Sequence, residues 1–224
     1  MRIIILTSSQ QGIASRILPI LSKNKSIDIL GVVLANEVSS NKKKHIRRKI
    51  HKAWKIGILG ALNGVRIRAW YTDNSADNIH LICNCLGITI TETPYVNCEI
   101  TKEVFRKSNA DLAISLGNGY ISKSVFSIPK YGMINLHTEI LPDFQGAQSI
   151  IWPIHERKTE TGFTIHQINS KIDTGNILYQ EKYPIEFYPT LRETVINNCK
   201  TARHKIPKAL TFVCENYVSL EKEA

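Results

Sequence analysis

Several features are scarce or missing in this sequence, and each absence excludes a class of protein. The opening Met1-Arg2 followed by apolar residues 3–6 is too short a run for a signal peptide or a membrane span. It reads instead as the first buried strand of a cytoplasmic protein. The five cysteines, Cys83, Cys85, Cys98, Cys199 and Cys214, are odd in number and show neither CxxC nor zinc-ligand spacing. A disulfide framework is excluded, and reduced core thiols are expected. The seven histidines do not cluster, so no metal is expected. Residues 41–70 contain no acidic side chain but hold ten basic ones, Lys42, Lys43, Lys44, Arg47, Arg48, Lys49, Lys52, Lys55, Arg66 and Arg68. The chain has 29 basic and 19 acidic residues, so these ten carry the whole net charge of +10.

What is present is an alternation of apolar runs with helical spacing. Residues 3–7 form an apolar strand, 10–21 carry Ile13, Ile17, Ile20 and Leu21 at helical intervals, and 27–35 form a second strand. This βαβ opening implies an α/β fold, Rossmann-like, with a mostly parallel central sheet and helices on both faces. The first turn, Ser8-Ser9-Gln10-Gln11-Gly12, lacks the close-packed glycines that let backbone amides approach a pyrophosphate, which argues against NAD. With 224 residues the expectation is a single domain over 1–224, interrupted by a basic insertion at about 41–70. In that insertion Ile46, Ile50, Trp54 and Ile58 fall one helical turn apart, and Gly57, Gly60 and Gly64 are expected to end the helix in a bend or loop. The segment is either a solvated insertion docked by its apolar stripe on the body or on a second subunit of a homodimer, or a surface for an anionic partner.

Further along, helices are expected over 78–86, 101–108, 122–126 and 147–155, and strands over 88–91, 111–116, 162–168 and 176–185. Thr190-Leu191-Arg192-Glu193 is a capping box opening the last helix, which Pro207 should kink or restart. The chemistry concentrates at 133–142. Side chains repeat on one face of a strand every second residue, so Asn135 and His137 point together while Leu136 points into the core. The turn Lys171-Ile172-Asp173-Thr174-Gly175 offers a carboxylate suited to orient an imidazole. Asn135, His137 and Asp173 together suggest acyl chemistry; the alternative is that each is structural.

Asn135-Leu136-His137, then Leu141-Pro142 and Gly146, then Thr161-Gly162-Phe163-Thr164-Ile165-His166, then Ile172-Asp173-Thr174-Gly175 resemble, in this order and spacing, the formyltransferase family. That family includes methionyl-tRNA formyltransferase, glycinamide ribonucleotide formyltransferase and sugar N-formyltransferases of surface-polysaccharide pathways. The resemblance implies formyl transfer from 10-formyltetrahydrofolate to a primary amine, with Asn135, His137 and Asp173 catalytic. It places the folate against Gly119, Tyr120, Ile121 and Asp173, and Ser8, Gln10, Thr138 and Glu139 on the acceptor side. The chain departs from the family pattern at Thr138 and Glu139, at Asp143-Phe144-Gln145, and in the absence of a Gly-rich phosphate loop after strand one. A chain ending at Ala224 also leaves no room for the C-terminal barrel of methionyl-tRNA formyltransferase. The expected acceptor is therefore a nucleotide-linked amino sugar of lipopolysaccharide or O-antigen type. For residues 41–70 the expectation is weak contact with a polyanion or an anionic membrane. Two other readings stay open: tRNA-directed formylation, and a non-enzymatic anion-binding protein on the same scaffold.

Overall fold

The computed structural model describes residues 1–36, 51, 54, 57, 59, 60, 62–72, 75–146 and 150–223. Seven strands run β1 (Arg2–Thr7), β2 (Asp28–Ala35), β3 (Ile90–Thr93), β4 (Leu112–Leu116), β5 (Met133–His137), β6 (Glu160–Gln167) and β7 (Ile177–Pro184). They form one sheet in the order β3-β2-β1-β4-β5-β6-β7. The first five are parallel, and β6 and β7 join antiparallel.

β1, at the middle of the parallel part, is apolar from Ile3 to Leu6 because both of its faces are covered. In β1, Ile3 and Ile5 pack with Ile114, Ile134 and Phe163 on one face, under α1 (Ile13–Leu21), α2 (Ile79–Leu86) and α6 (Leu191–Glu223). Ile4 and Leu6 point the other way, into a cluster with Val33, Ala113 and Met133, under α3 (Glu99–Ser108) and α4 (Lys123–Phe126). The short α5 (Ile151–His155) follows the 147–149 segment, so of the helix expected over 147–155 only the second half is described.

Local signals set the helix ends. Asn78 Oδ1 accepts the His80 amide to cap α2, and Gly87 closes it with φ +65°. The capping box forms at α6: Thr190 Oγ1 accepts the Glu193 amide at 3.2 Å, and Glu193 Oε2 accepts the Thr190 amide at 3.2 Å. Of the kink or restart expected at Pro207, the restart does not occur: α6 is a single helix of 33 residues that contains it. Pro207 removes one N–H, but it is buried beside Ile206, Ala209, Leu210 and Val213, whose burial outweighs one lost backbone bond. Despite its length, no helix among the described residues is long and apolar enough to cross a membrane.

The insertion also departs from expectation. Gly60 and Gly64 are helical, and a helix continues over 62–70. Its end is held down by Trp70, which is buried against Ile150, Ile185 and Val195 and overrides the weak helix propensity of glycine. Trp54, expected on the docked stripe, is 87% exposed. Ile46, Ile50 and Ile58, and the cations Lys42, Lys43, Lys44, Arg47, Arg48, Lys49, Lys52 and Lys55, lie outside the described residues.

Candidate active site

The C-terminal end of β5 carries the candidate residues. Ile134 and Leu136 enter the core cluster beneath α1 and α6, so Asn135 and His137 are turned to the opposite face. The antiparallel register then pairs Asn135 with His166 and His137 with Thr164. Directly paired side chains share a face, so β6 delivers His166 beside Asn135. The third member comes from the turn between β6 and β7, where Asp173 adopts φ +51°. Asn169 shapes this turn by accepting from the Lys171 amide and the Thr174 hydroxyl through one oxygen, at 2.9 and 3.0 Å. Gly175 is required there, because a Cβ would lie 1.7 Å from the Gln167 carbonyl oxygen. The Asp173 carboxylate is anchored by the Gly146 amide, 2.8 Å from Oδ2.

Geometry assigns the protons. His137 is only 8% exposed, and its Nε2 lies 2.6 Å from the Phe144 carbonyl oxygen, which can only accept. Neutral His137 therefore carries its proton on Nε2 and turns the Nδ1 lone pair toward Asp173, whose Oδ2 is 3.8 Å away. That distance is too long for a direct hydrogen bond, so Asp173 faces the base nitrogen without occupying it. His166 Nδ1 donates to the Gln167 carbonyl at 2.8 Å, and its Nε2 lies 3.3 Å from Asn135 Nδ2 and 3.7 Å from Asp173 Oδ1. Burial lowers the pKa of His166 from its ordinary value, against the Gln167 carbonyl and Asp173, which pull it up.

Two cavities lie at this end of the sheet, and the cluster lines one of them. The smaller, of ≈ 340 Å³, is lined by Asn135, His137, His166 and Asp173 and by the loop Gly119, Tyr120 and Ile121. Asn97 clamps that loop by donating to the Tyr120 carbonyl and accepting the Ser122 amide, at 2.9 and 2.8 Å. Asn118 ties the ends of β1 and β4 together: its Nδ2 donates to the Leu6 carbonyl at 2.7 Å and its Oδ1 accepts from the Ser8 hydroxyl at 2.9 Å. The larger cavity, of ≈ 680 Å³, is lined by Thr7, Ser9, Thr161 and Tyr71 and by the cations Arg68 and Arg203. Gly117 and Thr138 belong to both walls. In the larger cavity burial pushes the Cys199 thiol up to about 11 and raises the Tyr71 and Tyr183 hydroxyls above their ordinary value.

Of the residues expected on the acceptor side, Thr138 lines both of these cavities, and Ser8, Gln10 and Glu139 line neither. The Ser8 hydroxyl donates to Asn118, and exposed Gln10 accepts the Ile79 amide on its backbone carbonyl at 2.8 Å. Glu139 is 2% exposed and its carboxylate is turned inward, accepting from the Ile150 amide and, at 3.1 Å, from the Thr161 hydroxyl. It fastens the loop before α5 and faces neither cavity. His166, Arg68, Tyr71 and Arg203 were not singled out as site residues from the sequence. The alternation of β6 carried a signal for His166, since Phe163 and Ile165 inside leave Thr164 and His166 on the other face. The arginines and Tyr71 had none, because only the fold brings the 68–71 segment beside Arg203 of α6 and the ends of the strands.

A half-buried Asn/His/Asp cluster thus sits at the strand ends of a largely parallel sheet, where open α/β sheets bind ligands. The formyl transferase family model matches residues 1–210, and the chain belongs to that family. Methionyl-tRNA formyltransferase of Ehrlichia ruminantium (strain Gardel) is 35% identical over 109 residues, covering 48% of this chain and 36% of that protein. The enzyme of the same name from Deinococcus radiodurans is 42% identical over 81 residues, 36% of this chain and 26% of its own length. The match thus spans about a third of the curated relatives' length. Among solved structures, phosphoribosylglycinamide formyltransferase of Anaplasma phagocytophilum superposes with TM-score 0.68 at 18% identity, covering 96% of this chain and 87% of that one. WlaRD, a sugar 3N-formyl transferase crystallised in the presence of dTDP and 5-N-formyl-THF, gives TM-score 0.58 at 20% identity, covering 96% and 64%. At these identities the superpositions speak for the fold, a Rossmann-like formyltransferase sheet.

Proposed function

We propose that this chain transfers a formyl group from 10-formyltetrahydrofolate to the primary amine of a nucleotide-linked amino sugar, in the cytoplasm. The observation that carries the reading is that Asn135, His137 and Asp173 line the smaller cavity, which has Gly117 and Thr138 in common with the larger one. The smaller cavity suits the folate: Tyr120, Ile121, Ile168 and Ile172 supply apolar surface, and the 119–121 backbone supplies peptide groups for a planar ring edge. The larger suits a phosphorylated acceptor, since Arg68 and Arg203 on its wall fit phosphate.

When bound, the folate supplies an activated formyl group on nitrogen. The acceptor nitrogen bonds to the formyl carbon, negative charge grows on the formyl oxygen, and the nitrogen gains positive charge. An Asn135 N–H donates to that oxygen, a contribution worth on the order of 3 kcal/mol in comparable sites. His137 takes the amine proton on Nδ1, since Nε2 already holds one against Phe144, and Asp173 at 3.8 Å stabilises the resulting imidazolium. The carbon–nitrogen bond to the folate then breaks, and the proton leaves with the folate nitrogen. Atoms and charge balance without a redox step.

A second reading, formylation of methionyl-tRNA, is favoured by the names of the relatives that align with 36–48% of this chain. A mass-read screen with 10-formyltetrahydrofolate separates the two. Nucleotide-linked amino sugars should gain one formyl group far faster than methionyl-tRNA or glycinamide ribonucleotide. The opposite order of specific activity overturns the sugar assignment.

A further inference from the structure

We infer that His166 is a positioning residue that fixes the orientation of the Asn135 amide. The inference rests on the formyl-transfer reading for its consequence, but its geometry stands by itself. The Gln167 carbonyl can only accept, so the 2.8 Å contact places the one proton of neutral His166 on Nδ1. Nε2 is then a lone pair, and the atom 3.3 Å from it on Asn135 has to be a donor. The Asn135 carboxamide is thereby held with its NH2 toward His166. Rotated by half a turn, it would set its carbonyl oxygen against the Nε2 lone pair and leave both groups without a partner in a site where His166 is 2% exposed. One Asn135 N–H is used by His166, and the other stays available to the formyl oxygen.

The arrangement is a built one. Asn135 and His166 are register partners across β5 and β6, and the Gln167 carbonyl that fixes the ring belongs to the next residue of the same strand. The carboxylate of Asp173, 3.7 Å from Nε2, and His137, whose ring centre is 6.4 Å away, are the titratable groups around it. A single turn residue thus faces both imidazoles, with Oδ2 toward His137 and Oδ1 toward His166.

The test is a double-mutant cycle of His166→Phe with Asn135→Ala, run alongside His166→Gln, which keeps an accepting oxygen. In the native background His166→Phe should lower kcat roughly ten- to a hundredfold, the scale of an ångström-sized misplacement, with the KM for 10-formyltetrahydrofolate nearly unchanged. In the Asn135→Ala background the same substitution should cost less than about threefold, because the group it positions is gone. Equal losses in both backgrounds, or none in the native one, overturn the inference. The Asn135 side-chain amide signals in 15N NMR of the substrate-free protein decide independently of the formyl-transfer reading. They should shift and exchange faster with solvent in His166→Phe and stay close to native in His166→Gln. Unchanged amide signals in His166→Phe refute the positioning role even if no acceptor is ever found, whereas shifted signals without turnover in the native protein uphold it and refute the reaction.

Discussion

Gly175→Ala tests whether the Asp173 turn is held in place by backbone packing. The added methyl would start 1.7 Å from the Gln167 carbonyl oxygen and 2.6 Å from its carbon, and must move to ordinary contact at 3.4 Å or beyond. Neither partner is a flexible side-chain tip, so backbone has to open by a distance comparable to the initial gap. That same carbonyl holds His166 Nδ1, and the displaced turn holds Asp173, so one methyl disturbs both groups facing the β5 strand end. Overpacking of this kind costs about 1–3 kcal/mol, which for a chain of this size lowers Tm by about 2 to 12 °C. Displacement of catalytic groups by an ångström costs about a hundredfold in rate. Thermal melts followed by circular dichroism, with formyl-transfer rates on the same preparations, read both effects. Gly64→Ala is the control, since a methyl added there meets nothing within 4 Å and helix propensity favours alanine. A Gly175→Ala protein with native Tm and native kcat would refute the reasoning.

The remaining predictions concern the site, its loop, the buried carboxyl and the charges. His137→Asn and Asp173→Asn should fold normally and lose formyl transfer by roughly 10²–10⁴-fold; near-native turnover in either one removes it from the mechanism. Asn97→Ala releases both hydrogen bonds that clamp the 119–121 loop, so the KM for 10-formyltetrahydrofolate should rise several-fold with kcat little changed, and an unaltered KM shows that the clamp is dispensable. Glu139 has its pKa raised above the ordinary 4.5 chiefly by burial, so the fold favours its protonated form. Its contribution to stability is full below about pH 4.5 and is lost as pH rises through the higher folded value. The Tm difference between the native protein and Glu139→Gln should therefore shift against the native protein over that window, and a pH-independent difference contradicts it. Neutralising Lys42, Lys43, Lys44, Arg47 and Arg48 should leave turnover of a small soluble acceptor unchanged; a protein that still binds folate but no longer formylates would place that segment in the acceptor site.

The sheet, the strand carrying Asn135 and His137, and the capping box of α6 were legible because each is written in local periodicity or in a short spaced pattern. Period two along β5 suffices to put an amide and an imidazole on one face. Boundaries moved by a residue or two, as at β3, because strand ends depend on the neighbouring strand's register and not on propensity alone. Pro207 does not restart its helix and Gly64 does not end one for the same reason: local propensities of about 1–3 kcal/mol yield when a helix buries several apolar side chains. The direction of Glu139 was not legible, because no pattern says whether a carboxylate two residues from His137 turns toward the cavity or toward the Ile150 amide. The Phe144 carbonyl on His137, the pairing of His166 with Asn135, and the meeting of Arg68 with Arg203 across the larger cavity join residues from different elements. Such contacts are products of sheet order, antiparallel register and helix packing, so the sequence by itself determined which groups could do the chemistry, and only the tertiary structure decided which nitrogen holds the proton and which side chains face the substrate.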